Sequence, residues 1–244
     1  MQELVGEYRP LELRQSNDEH LFQIGEPESL RSRVKAEGIL VHYSRGETLF
    51  RQGREANKIY LTTDGIVAIT RTGASDTRQI FGFISADSLI IPAVGDKNTV
   101  AYSTECLTDV SAYVISAHAL GRILQTQPTL LFSMQREWGR DIERAHAHLE
   151  NLLCRHGIER VAFMLMKLHL ATTGQSAARP PSNKSATRSD SWIGITQVDL
   201  AAAIGMTPVY LNQILKKMKD ARIVELKSGK VRILDIAALQ SLYT

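Results

Sequence analysis

A glycine turn between two capped helices near the C-terminus sets the strongest limit on how this chain of 244 residues can fold. Thr196 is an N-cap residue, and the acid Asp199 follows three positions later, which is a helix-start pattern. Gly205 suits the left-handed turn that ends this helix. Thr207 then caps a second helix that has Pro208 in its first turn. The pattern predicts two short helices that meet at a sharp angle.

The second of these helices is predicted to extend to about Asp220, after a first helix over 197–204, and its two faces differ chemically. One face is apolar at helical spacing and is predicted to lie in the core. The other face carries amides and a cation, which suit the hydrogen-bonding edges of bases in a DNA major groove. The apolar set is Leu211, Ile214, Leu215 and Met218, and the polar-side set is Val209, Asn212, Gln213 and Lys216.

A hairpin with a basic tip is predicted directly after the two helices, over 223–234. Two helices, a glycine turn and a basic β-wing together indicate a winged helix-turn-helix. A helical hairpin with a polar surface would explain the periodicity of the helices but not the wing. The candidate DNA-binding residues are therefore Thr196, Thr207, Pro208, Val209, Tyr210, Asn212, Gln213, Lys216, Lys217 and Lys230.

These candidates divide into base readers and backbone contacts. Gln213 or Asn212 can form a bidentate pair with adenine, and Val209 can touch a thymine methyl group. Lys216 and Lys217 follow one turn later and are expected near phosphates. Tyr210 has two possible roles, which are a phosphate contact and a ring packed beside the Lys217 stem.

Charge is unevenly distributed behind a net charge of +3. The first 152 residues carry 16 Lys and Arg against 20 Asp and Glu, and the remaining residues carry 13 against 6. A basic C-terminal third behind an acidic body is typical of a chain that binds a polyanion there. Chance scatter of surface charge would give the same totals, so the asymmetry supports the winged-helix prediction without deciding it.

Several classes are excluded by composition. Cys106 and Cys154 are the only cysteines, too few for a disulfide framework or a four-thiolate metal site. The N-terminus lacks the apolar segment of a signal peptide, and the longest apolar run, around 89–94, is far below the roughly 20 residues of a membrane span. We expect a cytoplasmic protein with no membrane contact.

The first half of the chain reads as a series of short strands with glycine turns, which suggests a small antiparallel barrel or jelly roll. Asp64-Gly65 between two β-rich runs predicts a hairpin turn. The predicted strands are 39–43, 48–50, 58–62, 66–70, 78–83, 99–104 and 110–115.

A long helix is predicted over 129–153, because apolar residues recur there at intervals of three and four. The helix either pairs with its copy across a two-fold axis or covers its own barrel, and the length of the stripe favours dimerisation. A shorter helix is predicted over 157–170, and the polar, proline-containing segment 172–192 is predicted to be a flexible loop. The dimerisation candidates are Leu131, Met134, Trp138, Ile142, Ala145, Leu149 and Leu152.

Four segments in this order resemble the Crp/Fnr superfamily of bacterial transcription regulators. They are 43–53, which resembles the family's first barrel turn, 59–67, which resembles its next hairpin, and 199–207 and 233–235 of the DNA-binding part. The resemblance implies an α+β fold with an N-terminal antiparallel β-roll of the cyclic-nucleotide-binding, jelly-roll type, a long dimerisation helix and a C-terminal winged helix-turn-helix. It also implies a homodimer on an inverted-repeat promoter site and contact with RNA polymerase. The implied domains are an extension (1–20), the sensory roll (21–117), the linker and dimerisation helix (118–155) and the DNA-binding domain (156–244).

The chain departs from this family in its sensor region. The family's ribose- and phosphate-binding pairs fall near Ile90-Ile91 and Val100-Ala101, which offer neither a ribose acceptor nor a phosphate-binding cation. We therefore expect no cyclic AMP. No cysteine precedes Cys106, so no N-terminal iron–sulfur cluster is expected; haem or a small apolar effector stays open.

A second departure lies on the recognition helix. Val209 and Gln213 stand where many members place Glu and Arg, so the operator is expected to differ from the half-sites that those residues read.

Two alternatives come from other classes of protein. A cupin-like enzyme needs several histidines around a metal, and His42 is the only one within 39–115, so no enzyme activity is expected. A ligand-binding roll that acts only through protein partners would leave the basic winged helix unexplained.

Overall fold

The computed structural model describes residues 29–73, 78–92, 99–173 and 192–243. The predicted extension 1–20 and positions 174–191 of the predicted loop lie outside the described residues. The elements, in chain order, are α1 (Leu30–Glu37), β1 (Ile39–Tyr43), β2 (Thr48–Phe50), β3 (Lys58–Asp64), β4 (Val67–Thr72), β5 (Arg78–Ile84), β6 (Ser88–Ile90), β7 (Ser103–Cys106), β8 (Val110–Ser116), α2 (Ala117–Thr126), α3 (Leu130–Cys154), α4 (Gly157–Thr173), α5 (Gln197–Ala203), α6 (Pro208–Asp220), β9 (Val224–Lys227), β10 (Lys230–Ile233) and α7 (Ile236–Gln240).

The first eight strands form two four-stranded antiparallel sheets, with the orders β1-β8-β3-β6 and β2-β7-β4-β5. The predicted antiparallel β-roll is thereby confirmed. Strand alternation explains how the central part of β3 is buried on both faces. In β3, Tyr60 lies in the roll interior, while Ile59 and Leu61 pack on the outer side against α1 and α2.

The hairpin predicted at Asp64-Gly65 is wrong. β3 pairs with β6 and β8, whereas β4 pairs with β5 and β7, so the turn carries the chain from one sheet to the other. Gly65 has a φ of +88°, and an added Cβ would lie 2.9 Å from the Cα of Val110 and in collision with the Asp109 carbonyl oxygen. Glycine is therefore required here because the chain crosses between the sheets and packs under another loop. The residue types of the turn alone do not distinguish such a crossover from a hairpin.

Other strand and helix predictions need smaller corrections. The strand predicted over 99–104 begins only at Ser103, and the short strand β6 was not predicted. α4 extends to Thr173, beyond the predicted end at Leu170, so the first two positions of the predicted loop are helical.

The outer face of the second sheet is covered by the C-terminal domain. Ile66, Ala68 and Ile80 of the roll belong to the same buried apolar cluster as α4, α5 and α6. Leu107, which follows β7, belongs to it as well. One continuous core therefore joins the roll to the C-terminal domain.

Candidate nucleic-acid interface

The two helices of the predicted turn motif begin and end as their caps require. Thr196 Oγ1 accepts a hydrogen bond from the Asp199 amide at 3.0 Å, and Thr207 Oγ1 accepts one from the Tyr210 amide at 3.3 Å. Pro208 occupies the first turn of α6, and Gly205 has a φ of +63°. The chain bends by 106° between α5 and α6, which is the angle range of a DNA-binding helix-turn-helix.

The division of α6 into two faces is confirmed. The four predicted core residues are buried, and the predicted outward residues are exposed, with 69% of Val209 accessible. Asn212, Gln213 and Lys216 therefore present two amides and a cation to solvent from one helix face. Because donors and acceptors on such a face match base edges, α6 has the chemistry of a groove-reading helix.

Exposed lysines flank this face. Lys216 and Lys217 are exposed, and within the described residues no acidic side chain lies within salt-bridge distance of either. The wing turns at Ser228 and Gly229, whose φ values of 49° and 74° suit a two-residue hairpin, and it leaves Lys230 exposed at the tip. These cations are therefore free to contact phosphates.

The wing is held to its domain from two sides. Arg232 donates from Nε to Glu225 at 2.9 Å across the hairpin, and its guanidinium lies 5.0 Å from the centre of the Trp192 ring. Ile193, next to Trp192, forms an antiparallel bridge with Val231. The predicted hairpin is therefore observed as a two-stranded sheet, with one additional bridge to the segment before α5.

Two candidate residues have roles inside the domain. The Thr196 hydroxyl is half-buried and also donates to Asp199 Oδ2 at 2.6 Å, so it caps α5. The Tyr210 hydroxyl lies against the backbone of Gly157 at the start of α4, where an added Cβ would be 2.9 Å from it. The hydroxyl end of the half-exposed ring therefore lies toward α4.

α3 has an inverted distribution of polarity. Its inward side holds Ser133, Glu137, His148 and Asn151, all buried, and Arg31 of α1 clamps Glu137 through two hydrogen bonds of 2.9 and 2.8 Å. Burial and the nearby Lys167 lower the pKa of His148. Most of the predicted stripe is exposed instead: Leu131, Trp138, Ile142, Ala145 and Leu149.

Two members of that stripe behave differently. Met134 is half-buried against the α1–α2 side of the roll, and Leu152 is half-buried near the turn between α5 and α6. They were predicted from spacing alone to share the exposed stripe, but they lie at its inner margin, where α3 touches its own chain. Phe132 and Leu153, which were not predicted, extend the exposed apolar surface.

The roll interior is filled by aromatic and aliphatic side chains. The Phe50 ring lies 6.3 Å from Tyr60 and 5.6 Å from Tyr102, and the Tyr60 hydroxyl donates to the Leu49 carbonyl at 2.7 Å. Burial raises the pKa of Tyr60 to about 12 and that of the Cys106 thiol to about 11, so both stay neutral. In the described part of the roll, no Asp, Glu, Lys or Arg side chain is buried.

The positions predicted to correspond to the family's nucleotide-binding pairs are only partly brought together. Ile90 and Val100 are buried in the roll interior, in one apolar cluster. Ile91 instead packs toward the outer helices, and Ala101 is exposed, so neither of these two predicted positions faces the roll interior. The two interior positions carry only aliphatic side chains.

Neither a metal-binding group of side chains nor a single membrane-spanning helix is found among the described residues. His146 is exposed and His148 buried, so the two side chains point in different directions. Among the described residues no group of three or more His, Cys, Asp or Glu is arranged to hold a metal ion. None of the single helices in the described ranges is long and apolar enough to cross a membrane.

Two family models match the chain, one to each domain. A cyclic nucleotide-binding domain model matches residues 40–127, and a Crp-like helix-turn-helix domain model matches residues 159–242. The nitrogen fixation regulation protein FixK of Bradyrhizobium diazoefficiens is 24% identical over 209 residues, 84% of this chain and 82% of FixK. A CRP-like cAMP-activated global transcriptional regulator of Mycobacterium tuberculosis is 22% identical over 218 residues, 88% of this chain and 92% of that protein.

Solved structures share the fold at low sequence identity. FixK2 of Bradyrhizobium japonicum superposes with a TM-score of 0.69 at 14% identity, covering 85% of this chain and 98% of FixK2. A CRP-family transcriptional regulator of Thermus thermophilus gives a TM-score of 0.66 at 16% identity, covering 83% and 96%. A β-roll, a long helix and a winged helix-turn-helix in one chain define a DNA-binding transcription regulator.

Since both domain models match in the family's order and together cover more than two thirds of the chain, this protein belongs to the Crp/Fnr superfamily. The predicted fold class and the predicted family are both confirmed.

Sequence reasoning missed the polar residues that hold the domains together. Arg31 pairs with Glu137, 106 positions away in the sequence, and Arg78 pairs with Asp199, 121 positions away. Local patterns contain no signal for such pairs. The sequence contains one hint of these pairs, a series of polar residues at helical spacing on α3. A helix that covers a roll would carry apolar residues on that inward face.

Proposed function

We propose that this protein is a homodimeric, sequence-specific regulator that binds an inverted-repeat promoter site. The observation that carries the proposal is α3, which turns its buried polar side toward its own chain and leaves a long apolar stripe exposed. A contiguous apolar surface of this kind marks an interface. A second copy of α3 is the partner that matches it, because both stripes are apolar over the same length.

The dimer would then present two copies of α6 to one face of DNA. A two-fold axis along α3 requires half-sites related by the same symmetry, with centres about 34–36 Å apart. We propose that Gln213 and Asn212 read base edges, that Val209 touches a thymine methyl group, and that Lys216, Lys217 and Lys230 contact phosphates. Thr207, Pro208 and Tyr210 would lie at the helix end that enters the groove.

The split between base and phosphate contacts predicts two distinct mutant phenotypes. Gln213→Ala should cost roughly 1–3 kcal/mol on the operator, with little effect on random DNA, and relax one base position in each half-site. Lys216→Ala should weaken operator and random DNA about equally and make the salt slope shallower by about one unit. Footprinting and binding titrations at several salt concentrations measure both effects.

A charge-matched control is Lys58→Ala, which removes an exposed cation from the roll, remote from α6, and should leave both affinities unchanged. If Gln213→Ala lowers affinity uniformly while Lys216→Ala changes sequence preference, the two roles are reversed. If the wild-type chain shifts no promoter fragment at all, the protein acts without DNA and the proposed function is wrong.

We further propose that the signal sensed by the roll is not a cyclic nucleotide. The interior carries aromatic and aliphatic side chains, and no charged side chain is buried in the described part of the roll. A cyclic phosphate placed there would lose its water without gaining a cation. An uncharged effector, a haem or no effector at all is compatible with such an interior.

Cyclic AMP and cyclic GMP are accordingly expected to bind more weakly than millimolar and to leave operator affinity unchanged. Isothermal titration calorimetry measures the binding, with adenosine as a matched ligand that lacks the phosphate. Micromolar binding of cyclic AMP would contradict the prediction, and no binding of adenosine beside it would demonstrate a phosphate site in the roll.

We also propose that the DNA-bound dimer contacts RNA polymerase, as the family resemblance implies, and that it has no enzymatic activity. DNA as the partner implies that the protein acts in the cytoplasm.

A further inference from the structure

We propose that Arg78 of the β-roll is a positioning residue for DNA binding, since it fixes the orientation of the helix-turn-helix on the roll through Asp199. The inference rests on the proposed binding of an inverted repeat by a dimer. It adds a residue that lies in the sensor domain, outside the surface that faces DNA.

The Arg78 guanidinium bridges two domains. Arg78 is the first residue of β5, and its Nε donates to Glu105 Oε2 of β7 at 2.8 Å. Its Nη1 donates to Asp199 Oδ1 in α5 at 2.9 Å. Two nitrogen atoms of one planar group are thus held by two carboxylates, one from the roll and one from the DNA-binding domain. This geometry fixes the orientation of α5 relative to the roll as well as the distance between them.

The carboxylate that receives Arg78 is itself part of the turn motif. Asp199 has a side chain only 12% exposed, and its second oxygen accepts from the Thr196 hydroxyl that caps α5. A change at Arg78 therefore acts directly on the N-terminus of the first helix of the motif. α6 follows α5 after one short turn, so the setting of α5 determines where α6 points.

Apolar contact surrounds this ion pair. Ile80, two residues along β5 on the same face as Arg78, is buried together with Ile66 and Leu107 in the core that includes α5 and α6. The methyl group of Thr108 also lies 3.4 Å from the Cβ position of Gly194, just before α5. The apolar surface gives the docking most of its free energy but little direction. The charged bridge supplies the direction.

Both helix-turn-helix units of the dimer must fit half-sites at fixed spacing, so freedom in their orientation lowers operator affinity. Arg78→Ala is expected to raise the dissociation constant for the operator about tenfold, in the range of ordinary coupling between sites. It should also broaden spacing tolerance: operators with one base pair inserted or removed between half-sites should bind the variant nearly as well as the original. A loss of overall stability would weaken binding to all spacings alike.

The neighbouring strand offers a matched control. Arg71→Ala removes the same charge from an exposed position of β4 that lies opposite Gln79, and it should change neither affinity nor spacing preference. Asp199→Asn, which keeps an oxygen for the Thr196 hydroxyl, should reproduce the Arg78→Ala result. The double variant should be no worse than either single variant, because both remove one interaction.

Hydrogen–deuterium exchange on the full-length dimer without DNA gives a second readout. Amides of residues 193–204 should exchange faster in Arg78→Ala than in Arg71→Ala, while the melting temperatures of the two variants stay alike. Arg78→Lys should restore part of the protection, since a lysine can pair with one carboxylate but not with both.

Unchanged exchange and unchanged spacing preference in Arg78→Ala would overturn the inference. A rise in operator affinity would overturn it too, because the docking would then be inhibitory. If the wild-type chain binds no inverted repeat, the proposed function fails. In that case, faster exchange in Arg78→Ala would still establish that Arg78 holds α5 on the roll. Unchanged exchange would refute this role of Arg78.

Discussion

Replacing Ile142 with glutamate is expected to dissociate the dimer and to lower operator affinity at least about 100-fold. Ile142 is 56% exposed in the single chain and lies in the middle of the apolar stripe of α3. In the proposed dimer each copy would bury it against the other. The change removes about 1.5–3 kcal/mol of apolar burial and adds the cost of desolvating a carboxylate, on both chains.

Sedimentation velocity measures the first effect and a gel shift the second. Ile39→Glu is the control, because Ile39 is also exposed and apolar but lies at the start of β1, away from α3. It should leave the dimer intact. An unaltered dimer in Ile142→Glu would refute α3 as the dimer interface, and the stripe would then need another partner.

Gly65→Ala should destabilise the β-roll by about 3 kcal/mol or more. The residue has a φ of +88°, which costs a non-glycine residue about 1–2 kcal/mol. The added methyl group would also collide with the backbone of Asp109 and Val110, where no side chain can move aside. Urea unfolding followed by tyrosine fluorescence measures the loss.

Gly46→Ala separates the two causes. Gly46 has the same φ of +88°, but no atom lies within 4 Å of its Cβ position. It should show only the cost of the left-handed conformation, about 1–2 kcal/mol. Equal losses in the two variants would mean that the crossover at Gly65 is loosely packed and that the collision is relieved by a backbone shift.

The sequence was most informative where function and local structure use the same residues. Caps, a glycine turn and helical spacing fixed α5, α6 and the exposed face of α6, because each of these depends on neighbours within four positions. Most strands of the roll were also predictable, since alternation and glycine turns are local features, whereas β6 and the start of β7 were not.

The pairing of those strands was not predictable. The turn at Gly65 has the composition of a hairpin, yet the partner of β4 is chosen by packing under the loop at Asp109, more than 40 residues later. Arg78 and Asp199 illustrate the same limit for the candidate site. Each is an ordinary charged residue in its own segment, and only the docking of two domains brings them within 2.9 Å.

The core that runs without interruption from β4 and β5 into α5 and α6 also restricts how such a chain can be recombined. A DNA-binding domain transplanted from a relative would need a surface complementary to Ile66, Ile80 and Arg78 of the recipient roll. Exchange of operator specificity between relatives is therefore easier through point changes on the exposed face of α6 than through exchange of whole domains. In this architecture the α6 surface can diverge freely, whereas the two domains must change together.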